Sequence, residues 1–134
     1  MILSSRAFSI FSISIMIAAC GGGGSESDAQ SKPVQCPLTP AFDVAVTASG
    51  ETMVVNRADV YQLNVSGSIN TITIQPSNSV SLVSVSGDGN TVTVNDGAVL
   101  CNVTLTGKSN TISLPRGSTA QVIDQGSINS IRYR

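Results

Sequence analysis

Three cysteines, eight carboxylates, seven cationic side chains and regular files of hydroxyls and amides are the polar chemistry this 134-residue sequence offers, and it contains no histidine. Without an imidazole neither a Ser-His-Asp nor a Cys-His nucleophile system can be assembled, and the commonest nitrogen ligand for a metal is missing. The carboxylates do not compensate. Asp59, Asp88 and Asp96 fall at unrelated places in the repeat, so they do not build the clustered acids and bases that a solenoid enzyme needs to cleave acidic polysaccharides. Gly87-Asp88-Gly89-Asn90 has the look of a calcium turn, but no Gly-Gly-x-Gly-x-Asp nonapeptide is present, and Ser68 and Lys108 stand where Asp88 does. No catalytic residue, metal site or cofactor is therefore expected, and a carbohydrate-active enzyme is the remotest of the functions weighed.

The hydroxyls are more regular. Thr71 and Thr73, Thr91 and Thr93, and Thr111 and Ser113 recur at a fixed spacing. On stacked strands they would form two outward files with rungs about 4.8 Å apart. Such a face could bind glycan or a protein partner, and it resembles the Thr-x-Thr arrays of ice-binding solenoids. The plainer account is that threonine suits an outward strand position, where it packs against its neighbours. Ser130 and Arg132 end the array.

What must position these side chains is a repeat. Val65–Ile74 (VSGSINTITI), Val85–Val94 (VSGDGNTVTV), Leu105–Leu114 (LTGKSNTISL) and Asp124–Tyr133 (DQGSINSIRY) align without a gap. The common frame sets Gly67, Gly87, Gly107 and Gly126 three residues ahead of Asn70, Asn90, Asn110 and Asn129, at intervals of 20, 20 and 19 residues. A period of this length signals a solenoid. The fold expected is all-β: one short β-solenoid domain, parallel β-helix-like, of about four coils.

Strand parity assigns the two walls. Leu63, Val65, Val83, Val85, Val103, Leu105 and Val122 face inward from one side, and Ile72, Ile74, Val92, Val94, Ile112, Leu114 and Ile131 from the other. The glycines are expected at a corner needing positive φ, and the asparagines at an inward ladder that bonds backbone groups of adjacent coils. Thr52–Val55 reads as the strand of a degenerate first coil, with Ala48 and Glu51 in place of glycine and asparagine. Departure from the pattern is expected of terminal repeats. Asp124 takes a wall position in the last coil, and the charged tail Arg132–Arg134 discourages end-to-end pairing. The domain is expected to be a monomer.

The N-terminus reads as an address. Arg6 precedes an apolar run, Ala7–Ala19, that is short and serine-interrupted and fits the h-region of a signal peptide. Its end, Ile17-Ala18-Ala19-Cys20, resembles the lipobox of bacterial lipoprotein precursors, in which the cysteine is lipidated and becomes the mature terminus. The segment 20–35, rich in glycine and serine, then reads as a flexible tether, leaving 36–134 as the solenoid domain. That resemblance implies export and attachment to membrane through lipid at Cys20. Gly21 in place of aspartate favours the bacterial outer membrane. Cys36 and Cys101 are candidates for a disulfide in an exported protein; alternatively Cys101 is simply a small buried residue. From Cys20 onward six bases face eight acids, a net charge of −2. Nucleic acid is therefore not an expected partner.

The repeated VSGxxNTVTV sentence, in a small chain with an export signal, resembles the domain-of-unknown-function 3060 family over about Val46–Tyr133. The resemblance implies a β-solenoid and no activity. Taken together, the residues suggest a non-enzymatic cell-envelope lipoprotein with a structural or binding role.

Overall fold

The computed structural model describes residues 36–134. The signal segment 1–19, the lipidation candidate Cys20 and the tether 20–35 lie outside the described residues. Ten strands follow one another: β1 (Phe42–Val46), β2 (Thr52–Val55), β3 (Tyr61–Val65), β4 (Thr71–Ile74), β5 (Ser79–Val85), β6 (Thr91–Val94), β7 (Val99–Leu105), β8 (Thr111–Leu114), β9 (Gln121–Asp124) and β10 (Ser130–Tyr133). Odd-numbered strands form one parallel sheet in the order β1-β3-β5-β7-β9, and even-numbered strands form the other, β2-β4-β6-β8-β10. Each coil contributes one strand to each sheet. There are thus five coils, one more than the repeat alone suggested, because the degenerate first coil pairs in full register with the second.

Alternation builds the core. All twelve wall residues of coils two to four are 0–1% exposed, and each aliphatic side chain so buried contributes about 1.5–3 kcal/mol. Val122 and Ile131, in the last coil, pack against this core but are only partly buried. Parity alone did not reveal a third buried layer, Tyr61, Val80 and Leu100, at the start of the odd strands. There the register slips by one residue between Tyr61 and Gln62. The extra residue is Ser81 in coil three and Cys101 in coil four, both buried. This bulge accounts for the uneven period: coils with the additional residue repeat at 20, and coils without it at 19.

The glycine expectation needs correcting. Gly67, Gly87, Gly107 and Gly126 are not the residues at positive φ. The left-handed position lies two residues later, occupied down the stack by Gly50, Ile69, Gly89, Ser109 and Ile128, with φ between 56° and 75°. Glycine is required at the motif position because the coils approach backbone to backbone. A Cβ on Gly87 would overlap the carbonyl of Gly67, and one on Gly107 the carbonyl of Gly87. Meanwhile Ile69 and Ile128 hold a conformation that β-branched residues rarely adopt, and they do so while exposed.

Candidate binding face

The asparagines set the phase of everything downstream of the corner. Each side chain reaches back to the preceding coil: Asn90 Oδ1 accepts the Asn70 N–H at 2.9 Å, and Asn90 Nδ2 donates to the Gly67 carbonyl at 2.9 Å. Asn110 makes the same pair of bonds to Asn90 N and Gly87 O, and Asn129 to Asn110 N and Gly107 O. At the first rung Asn70 bonds Glu51 N and Ala48 O. Among the described residues no coil precedes coil one, so Glu51 has none to bind and can stand there in place of asparagine. At the other end Asp124 accepts the Asn129 amide at 2.7 Å and the Gly126 N–H at 3.0 Å. It terminates the ladder, which is why an exposed carboxylate replaces a wall aliphatic in that coil. Asn70, Asn90 and Asn110 are buried, and among the described residues no buried side-chain polar atom lacks a partner.

A second, exposed ladder runs beside the first. Ser68 N donates to Ser49 Oγ, Asp88 N to Ser68 Oγ, and Lys108 N to Asp88 Oδ1 at 2.7 Å. Asp88 is thus a rung of this corner. Among the described residues no group of three potential ligands gathers around it or elsewhere.

The residue after each ladder asparagine begins an even-numbered strand, so the ladder places the hydroxyls. Thr91 N bonds the Asn70 carbonyl, Thr111 N that of Asn90, and Ser130 N that of Asn110, each at 2.8 Å. The sheet register aligns Thr52, Thr71, Thr91, Thr111 and Ser130 in one file. Beside it run Val54, Thr73, Thr93, Ser113 and Arg132. All six expected hydroxyls therefore lie together on one face, and Thr52 and Ser130 lengthen the first file to five rungs. Thr52 joins the file although its coil lacks the Gly-x-x-Asn signature, and its 19-residue offset from Thr71 is present in the sequence. Among the described residues the six central hydroxyls make no side-chain hydrogen bond, leaving each free to donate and accept outward. Rungs are about 4.8 Å apart across strands and hydroxyls about 6.6 Å apart along them. Apart from Arg132 at its margin the face carries no charge.

Cys36 and Cys101 are bonded, with Cα atoms 5.5 Å apart across a separation of 65 residues. Cys36 is held at coil four, and Ala41 N bonds the Val60 carbonyl at 2.8 Å at the start of the β1–β3 pairing, so residues 36–41 form a strap running from coil four back past coils three and two to the start of β1. The bulge at Cys101 is what gives the strap its attachment point.

Two further features lay beyond the repeat pattern. Tyr61 is fully buried and donates its hydroxyl to Asn78 Oδ1 at 3.2 Å, while Asn78 also accepts the Arg57 N–H and donates to the Gln75 and Pro76 carbonyls. Burial pushes the Tyr61 hydroxyl up to about 12, partly offset by the charge of Arg57. At the opposite end of the chain Pro115, having no N–H, cannot bond the Val94 carbonyl as Asn95 bonds Ile74. The Arg134 guanidinium supplies that donor at 2.7 Å.

No family model, curated protein or solved structure matches this chain. The functional reading therefore rests on the residues and their geometry.

Proposed function

We propose that the chain is a non-catalytic, lipid-anchored envelope protein whose solenoid presents the hydroxyl face as a rigid binding surface. The observation that carries the reading is the pair of in-register hydroxyl files, uncharged and with their side chains unused by the fold. An interior filled by aliphatics and self-satisfied asparagines holds those files in place, and the strap braces coils two to four. Attachment follows from the lipobox-like Ile17-Ala18-Ala19-Cys20, with the bacterial outer membrane as the address, and the repeat's resemblance to the domain-of-unknown-function 3060 family is consistent with a scaffold. The surface suits a ligand that is itself periodic and neutral, a glycan chain or an ice plane, because many weak matched contacts then add.

The test compares the wild type with Thr91→Lys/Thr93→Lys, which sets two charges in the middle of the face and leaves both inward walls alone. Outward substitutions of this kind change stability by only about 0.5 kcal/mol, so circular dichroism should be unchanged. Binding to a glycan panel or inhibition of ice recrystallisation should be present in the wild type and lost in the variant. Absence of both in the wild type, or their survival in the variant, would contradict the reading. In parallel, Cys20→Ser should release the protein from membranes.

A further inference from the structure

Charge is unevenly spread along the stack. Residues 36–96 carry one base, Arg57, against five acids, a net of −4, whereas residues 97–134 carry four bases against one acid, a net of +3. The two ends of the stack also differ from its middle in being unpaired. At coil one, among the described residues, β1 and β2 each have a single strand partner. Between them opens a hollow of about 350 Å³ lined by Val44, Met53, Val54, Val55, Asn56 and Arg57. At coil five, β9 and β10 likewise have one partner each, Val122 and Ile131 are only partly buried, and Ile123 and Tyr133 are exposed.

Among the described residues nothing folds across either end, and the charged tail expected to discourage end-to-end pairing is drawn away from the coil-five edge. The strap runs along coils two to four, so the described chain ahead of β1 does not fold across coil one. Arg134 is turned back onto the Val94 carbonyl, and Arg132 lies in the outward file beside Ser113.

We propose that the coil-five edge of one copy stacks on the coil-one edge of a second copy, head to tail, continuing both sheets. Carrying the observed register across such a seam sets Val122 against Val44, Ile131 against Met53 and Tyr133 against Val55. The half-buried wall residues at both ends, and the hollow at coil one, are thereby covered. Unpaired parallel edges gain strand partners, which is the usual hazard of an open edge put to use. The opposite charges of the two halves select this polarity over head-to-head or tail-to-tail contact. Two charged residues border the covered space, Arg57 at the rim of the coil-one hollow and Asp124 in coil five, whose carboxylate is already held by Gly126 and Asn129. Because the contact is heterologous, each addition exposes another identical edge, and a linear filament results. The hydroxyl file would pass from Ser130 of one copy into Thr52 of the next without a break in spacing.

The register makes the test specific, since Arg132 falls directly opposite Val54 of the neighbouring copy. We would follow the mass of the mature chain from residue 20 onward carrying Cys20→Ser, so that neither acyl chains nor the apolar run Ala7–Ala19 drives association, by sedimentation over a range of concentrations at low and high salt. The wild-type face should give a mass that rises with concentration and falls with salt. Val54→Lys, placing like charges opposite each other, should weaken association about two- to fivefold, and Val54→Glu should strengthen it by a similar factor. Val54 is an exposed outward residue, and circular dichroism on both variants confirms that they fold. A chain that stays monomeric at its highest soluble concentration overturns the proposal. So does association indifferent to the sign of the charge at position 54.

Discussion

Asn90 does two jobs with one amide. Its carbonyl oxygen satisfies the backbone N–H of Asn70 and its nitrogen satisfies the carbonyl of Gly67, both buried. Truncation leaves buried groups unpaired, so Asn90→Ala should cost about 1–3 kcal/mol in urea unfolding. Asn129→Ala, at a partly buried rung whose amide also reaches an exposed carboxylate, should cost less; equal costs would argue against stacked coils. Tyr61 supports a second prediction with a definite sign. Its folded-state value of about 12 lies above the ordinary value of 10, so its contribution is complete below pH 10 and is lost as pH rises towards 12. Two pH units correspond to about 2–3 kcal/mol. Thermal melts of the wild type should fall over that window by correspondingly more than those of Tyr61→Phe. Parallel losses in both proteins would show that the buried hydroxyl is not responsible.

At the level of the elements, the strap and the bulge belong together. One added residue in each of coils three and four creates the site at which Cys101 holds Cys36. Closing a 65-residue loop restricts the unfolded chain, so reduction, or Cys36→Ser with Cys101→Ser, should lower stability by about 2–5 kcal/mol. Unfolding curves that coincide with and without reductant would exclude that role. The strands themselves were legible because alternation, fourteen inward aliphatics and a period of 19–20 residues all say the same thing. The reason for the corner glycines was not. A sequence shows that glycine recurs but not whether φ or close approach demands it, and here the positive φ falls two residues later, partly on isoleucine. Tyr61 and Asn78 were equally hidden, since they occur once and periodicity reports only what repeats. The first coil was half visible. Its strand Thr52–Val55 matched the pattern, while Ala48 and Glu51 concealed the corner that only the ladder's direction explains.

Viewed as a whole molecule, the domain separates its chemistry by location. The ladders satisfy the corners, most of the charged groups sit on corners, returns and ends, and the face built from the even-numbered strands is left regular and, apart from Arg132 at its margin, neutral. All six hydroxyls singled out from the sequence share that face, because register in a parallel stack follows directly from the repeat. Its full length was not legible, since Thr52 belongs to the coil that lacks the motif. If the face binds through matched rungs, the position of a disruption should matter more than its chemistry. The direct measurement is a scan in which lysine replaces Thr52, Thr71, Thr91 and Thr111 one at a time, with ligand binding and melting temperature recorded for each. The account predicts the largest loss of binding at the central Thr91, smaller and similar losses at Thr71 and Thr111 on either side of it, and the smallest at Thr52, with melting temperatures nearly constant. Losses equal at every rung, or losses that simply follow melting temperature, would contradict it.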